Sequence, residues 1–384
     1  MAQYSPRTFF RHVPNAMLKE YFTSKNVLNE HDFSKVPEAD IEPIYQAWLS
    51  VPYKERGEME RDFKEIDQLA CEGGIRAVLD EDKYRKENIF EDLDQHNGFH
   101  AKIFWLFLNR NQNWSAVNSR HRVDRISFSQ WVECKINNNY PANVSEEAIN
   151  NLEKSLSNYF FNKDGRGKNC KVEVYKWDES NYFFAYPEDY AQSSIEWENA
   201  NFKRAARHPA FEIILVHTQK EGKISLYMKG AKAIKKEVRA LFADAILGLN
   251  LDEFVEDERI YDLKVLHQAD AVFKFAPEQG IQSVLVKKLR LTINGSKERI
   301  TLEANSAKNP NAVYQLRDKL FKGIPASQLT ITQVGIQVTF IPEDDKRAST
   351  KSFEINWPNS CTLKHDDKDA IIRKMLIDSG IEPK

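Results

Sequence analysis

Cysteine is scarce in this chain. Four residues, Cys71, Cys134, Cys170 and Cys361, stand far apart with no C-x-x-C pair. That spacing excludes a zinc knuckle and a disulfide scaffold, and it points to a reducing, cytoplasmic compartment. Long apolar runs are missing as well. The strongest, Ile103-Phe104-Trp105-Leu106-Phe107-Leu108, falls far short of the ~20 residues a membrane span needs, so no membrane partner is expected. Residues 1–10 carry neither an apolar h-region nor a small-residue cleavage pattern, which argues against a secretory signal. Without export, the sequons at Asn113, Asn143 and Asn294 have no consequence. Nor is there a G-x-S-x-G elbow, a Walker loop, a Rossmann glycine set, an H-E-x-x-H pair or a kinase motif, so no familiar catalytic class is indicated.

What the chain does have is apolar and aromatic material. Hydrophobic residues make up 41% and charged residues 29%, with 23 Phe, 14 Tyr and 7 Trp spread along 384 positions. That is the composition of globular domains with real cores, and the length suits two or three of them. The net charge of −2 is unevenly distributed. Residues 1–100 hold 13 basic and 20 acidic side chains, whereas residues 201–250 hold 10 basic and 4 acidic. An acidic front and a basic middle suggest an anionic partner for the middle, or docking between the two.

Periodicity divides the chain. The first third reads as helical. Met17, Leu18, Tyr21 and Phe22 follow Pro14, and Ile41, Ile44, Trp48 and Leu49 form a second stripe. Met59, Phe63, Ile66 and Leu69 recur at helical spacing until Gly73-Gly74, which is expected to stop the run. Phe99–Asn109 is apolar nearly all round and is predicted to lie at the centre of this domain. Asn109–Ser119 reads as a polar loop, and Ile126–Ile136 has no clean period. The turn formers at Asn137–Asn143 mark the best boundary, and Ser145 is placed to cap the helix that follows.

Beyond Gly167 the period becomes two. Strands are predicted around 172–175, 182–186, 211–217 and 224–228, the last two joined by a hairpin at Lys220–Lys223, with a helix to Gly248. After an acidic linker, Asp252–Asp262, the order over 282–379 is strand, strand, helix, strand, strand, helix, with a hairpin at Asn294-Gly295. The expected class is therefore α+β: a helical N-terminal domain over 1–142, then mainly antiparallel sheet modules with flanking helices over 143–255 and 256–384. The last two are one domain if they pack together.

Several constellations bear on chemistry. Asp124 followed by Glu133-Cys134-Lys135 has the residue types of a PD-(D/E)xK nuclease, in which two carboxylates hold Mg or Mn and the lysine orients a water. The nine-residue separation is tight for a hairpin, and Glu-x-Lys also occurs as a surface ion pair. Asp92, Asp94, His96 and His100 contain an i, i+4 histidine pair, but Asn97-Gly98 between them favours a cap of the next helix over a metal grip. Lys163–Asn169 is glycine-rich but follows a helix and precedes a strand, which makes it a turn and not a phosphate loop.

The basic middle is the stronger candidate. Lys203, Arg204 and Arg207 form one segment; Lys229, Lys232, Lys235, Lys236 and Arg239 lie at a strand–Gly–helix junction whose backbone N–H groups suit phosphate. Lys287-Lys288-Leu289-Arg290 and the Arg120-His121-Arg122 segment, read as a loop, extend the basic surface. Trp177, Tyr182, Phe184 and Tyr186 are placed either to stack bases or, more commonly, to fill a core. The expected function is a non-enzymatic intracellular binding or assembly protein for nucleic acid or a protein partner, needing no cofactor. The alternative is the divalent-metal nuclease on Asp124, Glu133 and Lys135.

Overall fold

The computed structural model describes residues 4–127, 130–136, 139–198, 201–250, 254–256, 261–269, 273–294, 298–306, 309–325, 328–342, 348–358, 360–364 and 367–383. Among these are twelve α-helices and three mainly antiparallel sheets. The class is α+β with a helical N-terminal region. The chain forms two compact units, each drawn from separate stretches. The first holds Met1–Asp124, Ser157–Tyr182 and Tyr186–Phe211; the second holds Arg125–Leu156, Phe183–Ala185 and Glu212–Lys384. This partition cuts across the consecutive segments 1–142, 143–255 and 256–384.

The first unit begins with α1 (Pro6–Arg11), α2 (Asn15–Ser24), α3 (Glu42–Leu49) and α4 (Tyr53–Leu69). It continues with α5 (Glu72–Arg85), α6 (Phe90–Asp94), α7 (Phe99–Asn109) and α8 (Trp114–Asp124). Ser5 opens α1 by accepting from the Thr8 N–H at 3.1 Å, ahead of Pro6 in the first turn. The periodic residues of α4 (Met59, Phe63, Ile66 and Leu69) all bury. The Phe63 ring touches those of Phe9, Phe10, Tyr21, Phe22, Trp48 and Phe104. Removing it would cost about 3–5 kcal/mol through lost burial and the cavity left behind. Asp62 is buried on the same helix because Tyr21 donates to it at 2.9 Å and Lys25 pairs with it at 2.9 Å.

Two expectations fail here. The α4 run does end ahead of Gly73-Gly74, at Leu69, but the glycines are not its stop; both lie in the first turn of α5. A Cβ on Gly74 would sit 1.9 Å from the Leu69 carbonyl oxygen, so the glycine serves a close approach between consecutive helices. The polar stretch Asn109–Ser119 is also not a loop throughout. Trp114 starts α8, and its indole donates to Glu65 at 3.0 Å. The same unit receives the last turns of α9 (Glu146–Asp164), β2 (Cys170–Trp177), most of β3 (Ser180–Pro187), and a ribbon of β4 (Gln192–Glu198) with β5 (Asn201–Arg207).

In the second unit, β1 (Trp131–Ile136), β6 (Ile213–Thr218), β7 (Lys223–Met228) and β8 (Phe254–Glu256) run in the order β6-β7-β1-β8, and the Phe183–Ala185 stretch of β3 borders β6. Of the ambiguous 126–136 segment, Trp131–Ile136 thus resolves into a strand, and residues 128–129 lie outside the described ones. Gly222, with φ +56°, turns the β6–β7 hairpin. α10 (Lys232–Phe242) buries Val238 and Phe242, and the Phe242 ring meets Phe183 at 5.0 Å.

The second sheet of this unit has the order β10-β9-β11-β12-β13. Its strands are β9 (Ile281–Ile293), β10 (Arg299–Glu303), β11 (Leu329–Phe340), β12 (Thr350–Asn356) and β13 (Ser360–Cys361). One face supplies Leu289, Leu291, Val334, Ile336 and Ile355, which share a core with residues of α11 (Ala312–Leu320) and α12 (Asp367–Asp378). Among the described residues no helix is long and apolar enough to cross a membrane.

Candidate nucleic-acid interface

The β4–β5 ribbon is a two-stranded sheet on its own, paired from Gln192↔Arg207 to Glu198↔Asn201. Residues directly opposite share a face, and neighbours along a strand alternate. One face therefore carries Ile195 opposite Arg204 and Trp197 opposite Phe202. These three apolar side chains are 59%, 60% and 55% exposed, and the Trp197 and Phe202 rings meet edge-on at 5.4 Å. Arg204 is exposed and has no ion pair among the described residues. An exposed aromatic platform thus shares one face of the ribbon with a guanidinium.

The opposite face is charged but internally balanced. Arg207 donates to Glu196 at 2.8 Å and 3.0 Å, and Lys203 lies 3.6 Å from the same carboxylate. The Arg207 hydrogen bond, with the Lys203 charge behind it, holds the Glu196 carboxyl below the usual carboxylate range. Of the three cations predicted here, two share one acid and Arg204 stands with the aromatics.

The second predicted cluster belongs to the other unit. Lys229, Lys232 and Lys236 are exposed at the start of α10. Lys235 is half-buried, and burial, aided by the Arg239 charge, lowers its pKa. Arg239 itself is buried, so its place in an outward-facing patch needs correcting. It lies four residues after Lys235 on the flank of the Val238–Phe242 stripe, and helical geometry carries both toward the core. Lys288 pairs with Glu354 at 2.8 Å and Lys287 with Gln337 at 3.0 Å across the sheet.

Elsewhere the bland readings prevail. Arg120-His121-Arg122 is not a loop but part of α8, with Arg120 and His121 buried. Arg120 reaches Asp178 at 3.2 Å and lies over the Trp177 ring. Trp177 and Phe184 are buried, while Tyr182 and Tyr186 are half-buried. Desolvation pushes the Tyr182 hydroxyl up to about 12. On β2 and β3, then, Trp177 and Phe184 belong to the core and offer no open stacking surface. Gly98, with φ +81°, caps α7 as the sequence implied, and His100 pairs with Asp67 at 3.0 Å.

Of the three nuclease candidates, Asp124 belongs to the first unit, and Glu133 and Lys135 belong to the second. Asp124 ends α8 and lies 4.0 Å from Arg76. Glu133 is on β1, where Ser225 donates to it at 3.2 Å and Lys223 approaches to 3.6 Å; Lys135 is exposed on the same strand. No group of three or more His, Cys, Asp or Glu side chains suited to a metal occurs among the described residues.

The ribbon's aromatic face was not read from the sequence, where only its cations drew notice. A signal was there: Ile195 and Trp197 alternate, polar residues follow, and Phe202 and Arg204 alternate again. A scan against family models found no match, and a search of curated proteins found no significant relative.

Proposed function

We propose that this protein is a binding protein for single-stranded nucleic acid, and that the β4–β5 ribbon is its main contact. One observation carries the reading: Trp197, Phe202 and Arg204 share an exposed face of a ribbon that buries none of its described side chains. Exposed rings on a strand stack on unpaired bases whatever their identity, and a neighbouring arginine meets phosphate. The lysines at the start of α10 supply a second anion-attracting surface on the other unit. This favours a polyanion over an uncharged apolar partner.

Fluorescence anisotropy with labelled single-stranded DNA and RNA tests the proposal. Binding is expected to weaken steeply as salt rises, with a slope of about −0.7 in log K per log salt for each phosphate contacted. Trp197→Ala with Phe202→Ala should weaken it by roughly tenfold or more without changing that slope. Lys229→Glu with Lys236→Glu should flatten the slope. Absence of binding at low ionic strength, or binding indifferent to salt, defeats the reading. Probe cleavage in Mg or Mn that Glu133→Ala abolishes would favour the nuclease alternative.

A further inference from the structure

Cys71 and His121 are 50 positions apart in the chain, yet Cys71 Sγ lies 3.9 Å from His121 Nε2. Cys71 immediately precedes α5 in an extended conformation, with φ −148° and ψ 169°. It is half-buried and so reachable from solvent, whereas His121 on α8 is 8% exposed and held by packing. The two glycines after Cys71 make the approach possible. Gly74 lets the chain turn tightly against Leu69, and a Cβ on Gly73 would come within 3.2 Å of His121 Cε1. The connection between α4 and α5 thus brings a thiol to the start of a 14-residue helix and leaves room for an imidazole beside it. Backbone N–H groups there favour negative charge, and a nitrogen within reach of sulfur accepts its proton.

Cys134 and Cys361 are buried, and burial pushes the Cys361 thiol up to about 11. Cys170 is half-buried at the start of β2.

We propose that Cys71 and His121 form a reactive thiol–imidazole pair, and that Cys71 is a site of modification by hydroperoxides. His121 Nε2 takes the Sγ proton and the thiolate attacks the terminal peroxide oxygen. An S–O bond forms and the O–O bond breaks. The departing oxygen recovers the proton from Nε2 as water when the oxidant is hydrogen peroxide, or as an alcohol when it is an organic hydroperoxide. Sulfur is oxidised to a sulfenic acid and the peroxide is reduced, so the reaction balances without another co-reactant. The proposal is independent of the ribbon and of nucleic-acid binding.

The test treats the full chain with hydrogen peroxide, traps sulfenic acid with dimedone and measures each cysteine by peptide mass spectrometry, for folded and urea-unfolded protein. Folding alone shields a thiol, so a folded rate above the unfolded one is the mark of activation. Cys71 is expected to react roughly tenfold faster folded than unfolded, and Cys170 no faster. His121→Gln, with its fold checked by circular dichroism, should bring Cys71 down to the rate of Cys170. If that variant does not fold, Gly73→Ala displaces the ring more mildly and should slow Cys71 in the same direction. A folded Cys71 that reacts no faster than the unfolded one, or one indifferent to a folded His121 or Gly73 variant, overturns the proposal.

Discussion

His217 lies on β6 with no exposed surface, and neither ring nitrogen has a hydrogen-bond partner among the described residues. Burial pushes its pKa down to about 4 from an ordinary value of 6.5. The folded state therefore keeps the ring neutral while the unfolded chain takes up a proton below about pH 6.5. Stability from this residue is present above that pH and lost as pH falls from about 6.5 toward 4. A loss on the order of 2 kcal/mol is expected across that window. Urea unfolding at pH 7 and 4.5 should show a fall in midpoint for the native protein that is clearly smaller in His217→Leu; equal falls would refute it. At this scale the sequence reveals residue type but not environment. Lys235 and Arg239 count as two positive charges in any composition, and only the rotation of α10 shows that one is half-buried and the other fully so.

Among the elements, those with a strong period were legible. The 11-residue α7, the β6–β7 hairpin and the long β9 and β11 strands all lie where apolar spacing put them. Those missed had their signals offset by local chemistry. Gly73-Gly74 is ordinarily a stop, but here it permits a helix to restart at once, and the polarity of α8 hides contacts made by Trp114 and Val117. β4 and β5 escaped notice because no described side chain on them is buried. Their exposure also yields a prediction. Replacing Ser193–Ala206 with a short Gly-Asn turn removes little packing, so the melting temperature should stay within a few degrees, on the scale of ~0.5 kcal/mol for surface changes. Nucleic-acid binding should fall sharply. A large drop in melting temperature would mean that the ribbon is structural.

For the whole molecule, the α+β class followed from the change of period near residue 167, but the grouping into units did not. Periodicity reports which side of an element is buried, and says nothing about which distant stretch buries it. The first unit needs residues 157–182 and 186–211 to complete what residues 1–124 begin. Trp177 lies beneath Arg120 of α8, and Tyr186 accepts from Arg122 at 2.8 Å. A fragment of residues 1–142 should therefore keep hydrogen-exchange protection in α4 and α7, which carry the aromatic cluster around Phe63, and lose it in α8. Protection of α8 equal to that in the full chain would show the later stretch to be dispensable.

Discontinuity also imposes a timetable on biosynthesis. The helices of residues 1–124 leave the ribosome long before Phe211, the last residue of their unit, so their assembly must pause unfinished while translation proceeds. Residues 125–156 wait longer still, since β7 and β8, the strands that flank their β1 in the sheet, follow Glu212. A nascent chain arrested before residue 212 would expose Cys134, Ile136 and Leu152 without the cover they have when synthesis is complete, making it a natural client for chaperones.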